Sequence, residues 1–148
     1  MKDEIQINPM RSDDLEKAFQ LYKEALTQIV DEAFGWDENF QKKRFQNSYK
    51  LEWFHWVYKS SHKIGYICFH KKQDEMHLSL LIISDAFRGQ SFGQQVMAML
   101  HQRARSESCK VTLSSFIANK RALSFYQKLG YRIENQDEHF YNMVLEQP

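Results

Sequence analysis

RGQSFG, residues 88–93, stands between an apolar run and a run with helical periodicity. The preceding run, LSLLII at 78–83, is apolar on both faces of a strand, which predicts a central strand covered on each side. In the following run one helical face carries Gly93, Val96, Met97, Leu100 and Ala104. A turn between such a strand and helix aims amides and the positive end of the helix dipole at one point. The stretch therefore predicts a phosphate-binding turn, although a purely structural turn would show the same pattern.

The two glycines of this turn, Gly89 and Gly93, lack a Cβ that would hinder a sharp bend or the approach of a ligand to the backbone. The stretch has neither the GxxxxGK[ST] pattern of nucleoside triphosphatases nor the GxGxxG pattern of dinucleotide sites. Both of those classes are therefore disfavoured.

The segments before residue 76 predict strands and helices in alternation. A strand is expected at 4–8, and Ser12 is expected to cap a helix whose apolar face carries Leu15, Ala18, Phe19, Tyr22, Leu26 and Ile29. A break at 35–37 precedes a charged helical segment, and the aromatic and β-branched stretch 53–69 predicts a hairpin that turns at 60–63. A third strand is expected at 76–83.

After the long helix, a strand is expected at 110–117 and a helix from its cap at Asn119 to Gly130. Short strands near 131–134 and 139–145 complete the pattern. With 148 residues and no repeat or linker, the chain is expected to form one α/β domain over 1–148.

Composition excludes several classes of protein. Hydrophobic residues make up 43% and charged residues 26%, and the opening MKDEIQINPM is too polar for a signal peptide, which predicts a cytoplasmic protein without a membrane partner. The 20 basic and 19 acidic residues give a net charge of +1, so no nucleic-acid partner is expected. Cys68 and Cys109 lie in apolar runs without metal-ligand spacing, which predicts buried thiols and no metal site.

A second motif follows about 30 residues after the turn, as NKRALSFYQKLGY at 119–131. Together the two segments resemble the GNAT acyltransferase superfamily, which has Q/R-x-x-G-x-G/A after a central strand and roughly N-x-x-A-x-x-x-Y-x-x-x-G-F/Y in a later helix. The residues in register are Arg88, Gly93, Asn119, Ala122, Tyr126, Gly130 and Tyr131. The resemblance implies a mixed, centrally splayed sheet of about six to seven strands flanked by about four helices.

By that resemblance the chain is expected to be an N-acetyltransferase that takes acetyl-CoA as acyl donor and a primary amine as acceptor, as a monomer or homodimer. The residues expected to bind the coenzyme are Leu81, Ile83, Arg88, Gly89, Gln90, Ser91, Phe92, Gly93, Gln94, Asn119 and Ala122. The amides of 89–94 would hold the pyrophosphate, and the main chain of Leu81 and Ile83 would bind the pantetheine arm. The Leu81 amide would polarise the thioester carbonyl.

One residue departs from the family pattern, because Ser91 stands where the family usually has its central glycine. If the turn requires positive φ at this position, a serine there costs on the order of 1 kcal/mol or more.

The resemblance also suggests catalytic residues. Tyr126 matches the family tyrosine and is expected to act as general acid towards the departing thiolate, because a phenol of pKa about 10 keeps its proton at neutral pH. His77, on the central strand, is the candidate general base, in competition with Glu75 and bound water.

Aromatic residues of the first half are candidates for the acceptor pocket or for the core, namely Trp36, Trp53, Phe54 and Trp56, with core packing preferred for Trp56. Asp37 would attract a cationic amine or lie solvated in a loop. Two other functions remain open. One is a non-catalytic acyl-CoA sensor on the same fold, and the other is a small RNA-binding domain suggested by aromatic strands and by Lys42, Lys43 and Arg44.

Overall fold

The computed structural model describes residues 4–148. Its strands are β1 (Ile5–Pro9), β2 (Phe54–Lys59), β3 (His62–Lys72), β4 (Glu75–Ile83), β5 (Lys110–Phe116), β6 (Arg132–Gln136) and β7 (Phe140–Leu145). Its α-helices are α1 (Leu15–Phe34), α2 (Glu38–Ser48), α3 (Phe92–Ser106) and α4 (Lys120–Lys128). The predicted α/β class and the predicted order of elements are confirmed.

The seven strands form one mixed sheet in the order β1-β2-β3-β4-β5-β7-β6. β4 and β5 pair in parallel, and the other neighbouring strands pair antiparallel. One face packs against α3 and α4, while the other packs against α1 and α2. β4 is thus central and covered on both faces, as its apolar sequence predicts.

A bulge in β4 changes which residues of this strand face each helix layer. Opposite β3, Phe69 pairs with Leu78 and Cys68 pairs with Leu80, so Ser79 is the additional residue. The bulge reverses the alternation: Met76 and Leu78 face the α3 side, whereas Leu80 and Ile82 face the α1 side.

The sheet opens between its two central strands. β4 and β5 pair from Glu75↔Lys110 to Leu78↔Leu113 and no further. β4 nevertheless continues along β3 to Ile83, and β5 continues along β7 to Phe116. Since each strand keeps its outer partner and loses its inner one, a gap opens at the carboxyl ends of both. This is the predicted central splay.

The start of α1 differs from the sequence prediction, and the start of α2 has a cap that sequence did not predict. Ser12 does not cap α1, because a 3-10 turn, Ser12–Asp14, precedes that helix, and the Asp14 side chain accepts the Arg11 N–H at 2.8 Å. Asp37 caps α2 by accepting the Phe40 N–H at 3.0 Å. Asp13 and Asp14 place negative charge near the positive end of the helix dipole in either arrangement, so sequence could not separate the two.

Both cysteines are buried, as predicted. Burial raises the pKa of the Cys68 thiol to about 12, so this group is an inert part of the core. No helix within residues 4–148 is long and apolar enough to cross a membrane.

Candidate active site

A cavity of about 350 Å³ occupies the gap between β4 and β5 and opens to both faces of the sheet. Tyr22 and Leu26 of α1 and Arg44 and Tyr49 line it on one side. On the other side it is lined by Asn119, Ala122 and Tyr126. The two strands beside the gap contribute His77 to Ile82 of β4 and Ser114 to Phe116 of β5. The β6–β7 turn and β7 contribute Asp137, Phe140 and Asn142.

The turn at 88–93 enters α3 through a left-handed residue. Ser91 has φ 65° and ψ 16°, and Gly89 also has positive φ, at 74°. The Ser91 side chain does not cap the helix. The first amides of α3 therefore lack both an intrahelical acceptor and a side-chain acceptor, at the positive end of a 15-residue helix. This arrangement suits an anion.

The polar side chains of the turn hold the turn itself. Arg88 donates from Nε to the Ile83 carbonyl at 2.8 Å and pairs with Asp85. Gln90 donates from Nε2 to the Ala86 carbonyl at 3.3 Å. Because these groups are engaged, it is the main chain that the turn offers to a ligand.

Gly93 differs from Gly89 in its backbone conformation. Its φ is not positive, and a Cβ at this position would lie 3.5 Å from Phe125, an ordinary contact. Neither backbone conformation nor internal packing therefore requires a glycine at 93.

Asn119 caps α4, as predicted, by accepting the Ala122 N–H on Oδ1 at 3.1 Å. The cap sets the first turn of α4 beside the end of β5, so that Ala122 and Tyr126 line the same wall of the cavity. Gly130 ends this helix region with φ 102°.

The Tyr126 ring packs against Phe125 and Tyr131, with centroid distances of 5.1 and 5.6 Å. Burial raises the pKa of Tyr126 to about 12, so its hydroxyl keeps its proton throughout the physiological range.

His77 lies on β4 at the last paired stretch before the gap and lines the cavity. Its Nδ1 lies 2.9 Å from the Thr112 hydroxyl of β5. Burial lowers the pKa of His77, and the neighbouring His70 lowers it further, while Glu75 acts in the opposite direction. His77 is therefore neutral at neutral pH. With the proton on Nδ1 and donated to Thr112, Nε2 would be the basic nitrogen.

The structure brings some of the predicted residues together and leaves others apart. Tyr126, His77, Leu81, Asn119 and Ala122 line one cavity. Ile83 and residues 88–94 do not line it and form the end of β4, the turn and the start of α3.

The aromatic residues proposed for the acceptor pocket belong elsewhere. Trp36, Trp53, Phe54 and Trp56 do not line the cavity and pack in or against the cluster on the α1 side. Asp37 is a helix cap. Sequence reasoning missed Tyr22 and Tyr49, which read as core positions, and Asp137 and Asn142, whose proximity depends on the path of β6 and β7.

The parallel strands β4 and β5 thus separate beside an uncapped helix start, and a tyrosine and a histidine line the cavity between them. The sequence model of the acetyltransferase (GNAT) family matches residues 15–131. The chain therefore belongs to the GNAT family, and acyl transfer is the class of reaction of that family.

Solved structures share the fold over nearly the whole chain. PaiA N-acetyltransferase from Thermoplasma acidophilum, in complex with coenzyme A, gives a TM-score of 0.75 at 17% identity over 95% of this chain and 98% of that one. The putative acetyltransferase YycN from Bacillus subtilis gives 0.74 at 19% identity, over 90% and 95%. An Arabidopsis thaliana protein in complex with the bisubstrate analogue CoA-Ac-MVNAL gives 0.56 at 15% identity, over 96% and 98%. None of the curated proteins matches the sequence significantly.

Residues 4–148 contain no group of three or more His, Cys, Asp or Glu side chains that could hold a metal ion.

Proposed function

We propose that the protein transfers an acetyl group from acetyl-CoA to a primary amine of a small molecule or peptide by direct attack. The observation that carries this proposal is the cavity at the β4–β5 gap, which joins the two faces of the sheet. A thioester entering from the α3 and α4 side and an amine entering from the α1 and α2 side would meet there. The coenzyme A complex of the related fold supports coenzyme A as the carrier of the acyl group by analogy.

The donor would bind mainly through the backbone. The pyrophosphate of the donor would lie over the amides of 89–94, at the uncapped start of α3. The pantetheine arm would pair with the β4 main chain beyond Leu78, where β4 no longer pairs with β5. Arg88 already occupies the Ile83 carbonyl with one hydrogen bond, so the arm would rely more on Leu81. The Leu81 amide is the proposed donor to the thioester oxygen.

The reaction removes two protons from the amine nitrogen and gives one proton to the coenzyme sulfur. An amine arriving as ammonium first loses a proton, and His77 Nε2 is the proposed acceptor, with Glu75 and water as alternatives. The neutral amine then attacks the thioester carbon and forms a tetrahedral intermediate, whose positively charged nitrogen loses its second proton to water. When the carbon–sulfur bond breaks, the sulfur leaves with the electron pair and Tyr126 donates a proton to it. The proton held by His77 and the one needed by Tyr126 are finally exchanged with solvent, so that the enzyme is regenerated.

Release of coenzyme thiol from acetyl-CoA in the presence of a panel of amines tests the proposal. Tyr126→Phe keeps the packing of the ring and removes the proton donor, so kcat should fall by about 10² to 10⁴. Acetyl-CoA affinity and the melting temperature should change little, because the hydroxyl acts on the leaving group.

Two outcomes would count against this function. Tight coenzyme binding without thiol release for any amine would indicate the sensor module instead. A Tyr126→Phe variant with wild-type kcat, when chemistry limits the rate, would make Tyr126 a packing residue only.

A further inference from the structure

Arg44 is a cation of the cavity wall that pairs with no carboxylate among residues 4–148. It lies on α2 and lines the cavity together with Tyr22 and Tyr49. No ion pair joins it to a carboxylate anywhere in residues 4–148, although Lys23, on the adjacent α1, pairs with Glu38 at 2.8 Å.

The surroundings of Arg44 hold it in place at the mouth of the cavity. Burial raises the pKa of Tyr22 and raises the pKa of Tyr49 to about 12, so both phenols are neutral. The charge of Arg44 acts in the opposite direction on both groups, which indicates that the guanidinium lies near the two phenols. Two neutral phenols position the guanidinium and leave its charge uncompensated.

The opposite wall carries a negative charge. Asp137, between β6 and β7, accepts the N–H groups of His139 and Phe140 at 2.9 and 2.8 Å. These two hydrogen bonds lower the pKa of Asp137, so its carboxylate is ionised at neutral pH. The cavity therefore has a cationic wall on α2 and an anionic wall at the β6–β7 turn.

We propose that the acceptor is a small amine that also carries a carboxylate, which Arg44 binds at the α2 wall while the amino group lies towards His77. This inference rests on the proposed acetyl transfer and narrows its acceptor class. A guanidinium fork matches both oxygens of a carboxylate, and such charge-assisted pairs are stronger than hydrogen bonds between neutral groups. Asp137 would favour the ammonium form of the same molecule on the facing wall.

The coenzyme is the other anion that the cavity admits, and its placement argues against Arg44 as a phosphate ligand. The anion-binding turn at 88–93 leads into α3, on one face of the sheet, whereas α2 packs on the other face with Leu80 and Ile82. Arg44 thus lies on the acceptor side of the gap.

The experiment compares amino acids with their own carboxamides as acceptors, by thiol release from acetyl-CoA. In the wild-type protein, kcat/KM for the best amino acid should exceed that for its carboxamide by about 10- to 100-fold, the range for a charge-assisted hydrogen-bonded pair. The amino group of the carboxamide is less basic, so more of it is unprotonated at neutral pH and intrinsic reactivity favours the carboxamide. A preference for the amino acid would therefore come from the binding site.

Variants of α2 locate the origin of this preference. Arg44→Gln should bring the ratio to about one, and Arg44→Lys should restore part of it, because lysine keeps the charge and loses the fork. Lys43→Gln removes the neighbouring exposed charge, which does not line the cavity, and should leave the ratio unchanged.

The outcomes separate the two proposals. Thiol release with equal use of acids and amides would overturn the inference and leave acetyl transfer standing. A rise in KM for acetyl-CoA, rather than for the acceptor, in Arg44→Gln would assign Arg44 to the coenzyme and also overturn it. Absence of thiol release with every amine would remove acetyl transfer itself, and the inference with it.

Discussion

At the scale of single residues, the backbone of Ser91 connects sequence to ligand binding. Within residues 4–148, five non-glycine residues have positive φ: Ser60, Ser61, Gln73, Ser91 and Ser108. Four of them lie in turns between strands or before β5, where local strain has no bearing on the site. Ser91 begins α3 beside the proposed pyrophosphate site, so its cost of on the order of 1 kcal/mol falls where the amides must be oriented.

Ser91→Gly should retain or tighten the affinity for acetyl-CoA, because glycine adopts this left-handed conformation without strain. Ser108→Gly is the matched control, since Ser108 has φ 56° and lies away from the cavity. It should change stability similarly and leave affinity unaltered. Calorimetric titration with acetyl-CoA measures both variants. A large loss of affinity in Ser91→Gly alone would mean that the serine hydroxyl contacts the coenzyme.

His77 gives a prediction about the pH profile. A general base is inactive once it is protonated, so kcat/KM should fall on the acidic side of the pH profile. Because burial lowers the pKa of His77, this fall should lie below pH 6.5, the ordinary value for histidine, with full activity above it. His77→Gln should remove this limb and leave coenzyme affinity nearly unchanged. Thr112→Val should shift the limb without abolishing it, because Thr112 only orients the ring. A profile that His77→Gln leaves unaltered would transfer the role to Glu75 or water.

Sequence predicted individual residues where the determinant is local. The Asn119 cap depends on neighbours within three positions, and the structure confirms it. Arg44 was noticed only as part of a basic run, because its place in the cavity depends on how α2 lies against α1 and β4. The roles of Tyr126 and His77 rest on family resemblance and stay predictions.

At the scale of elements, the apolar pattern of β4 predicted a central strand and could not predict its bulge. Either a bulged or a regular strand would be apolar on both faces here, and the register against β3 decides between them. The neighbouring strand β3 contains Gly65, which permits the close approach of the β3 and β4 backbones. Gly65 lies opposite Ile83, and a Cβ on Gly65 would lie 2.0 Å from the Ile82 carbonyl oxygen.

Gly65→Ala should therefore lower the free energy of unfolding by about 1 to 3 kcal/mol or more, because the β3 and β4 backbones must separate. Gly35→Ala is the control: Gly35 has φ 79° but nothing within 4 Å of an added Cβ. It should show only the conformational cost, on the order of 1 to 3 kcal/mol, because φ 79° with ψ 139° strains a non-glycine residue, and the Gly65→Ala loss should exceed it. Urea unfolding of both variants measures the difference. Equal losses would contradict the proposed clash at Gly65.

At the scale of the whole molecule, sequence predicts the order of the elements better than it predicts the walls of the cavity. The order of elements and the splayed sheet follow from periodicity and family resemblance. The cavity walls come from α1, α2, β4, β5, α4 and the β6–β7 region. Contacts across such sequence separations depend on strand order and packing, which no single stretch encodes. This is why sequence left Trp36, Trp53 and Phe54 open between the pocket and the core, whereas the structure places them in or against the core.

Four histidines distributed over the molecule share one electrostatic property. Burial is the largest cause that lowers the pKa of His55, His70, His77 and His101 below the ordinary value of 6.5. Positive neighbours reinforce the effect, such as Arg105 beside His101. The folded protein therefore binds fewer protons than the unfolded chain as pH falls below about 6.5.

Stability should accordingly be constant with pH above about 7 and should decline as pH falls from 6.5 towards 5.5, because unfolding then takes up protons. Each additional proton taken up contributes about 1.4 kcal/mol per pH unit to the slope. The carboxyl groups of Asp14, Glu38 and Asp137, whose pKa values are also lowered, act at lower pH and do not enter this window. Urea midpoints at half-unit steps from pH 8 to 5.5 measure the slope. Replacing His55, His70 and His101 together by glutamine should flatten the slope whatever it does to the midpoint at pH 8, and a wild-type midpoint that is constant down to pH 5.5 would contradict the assignment.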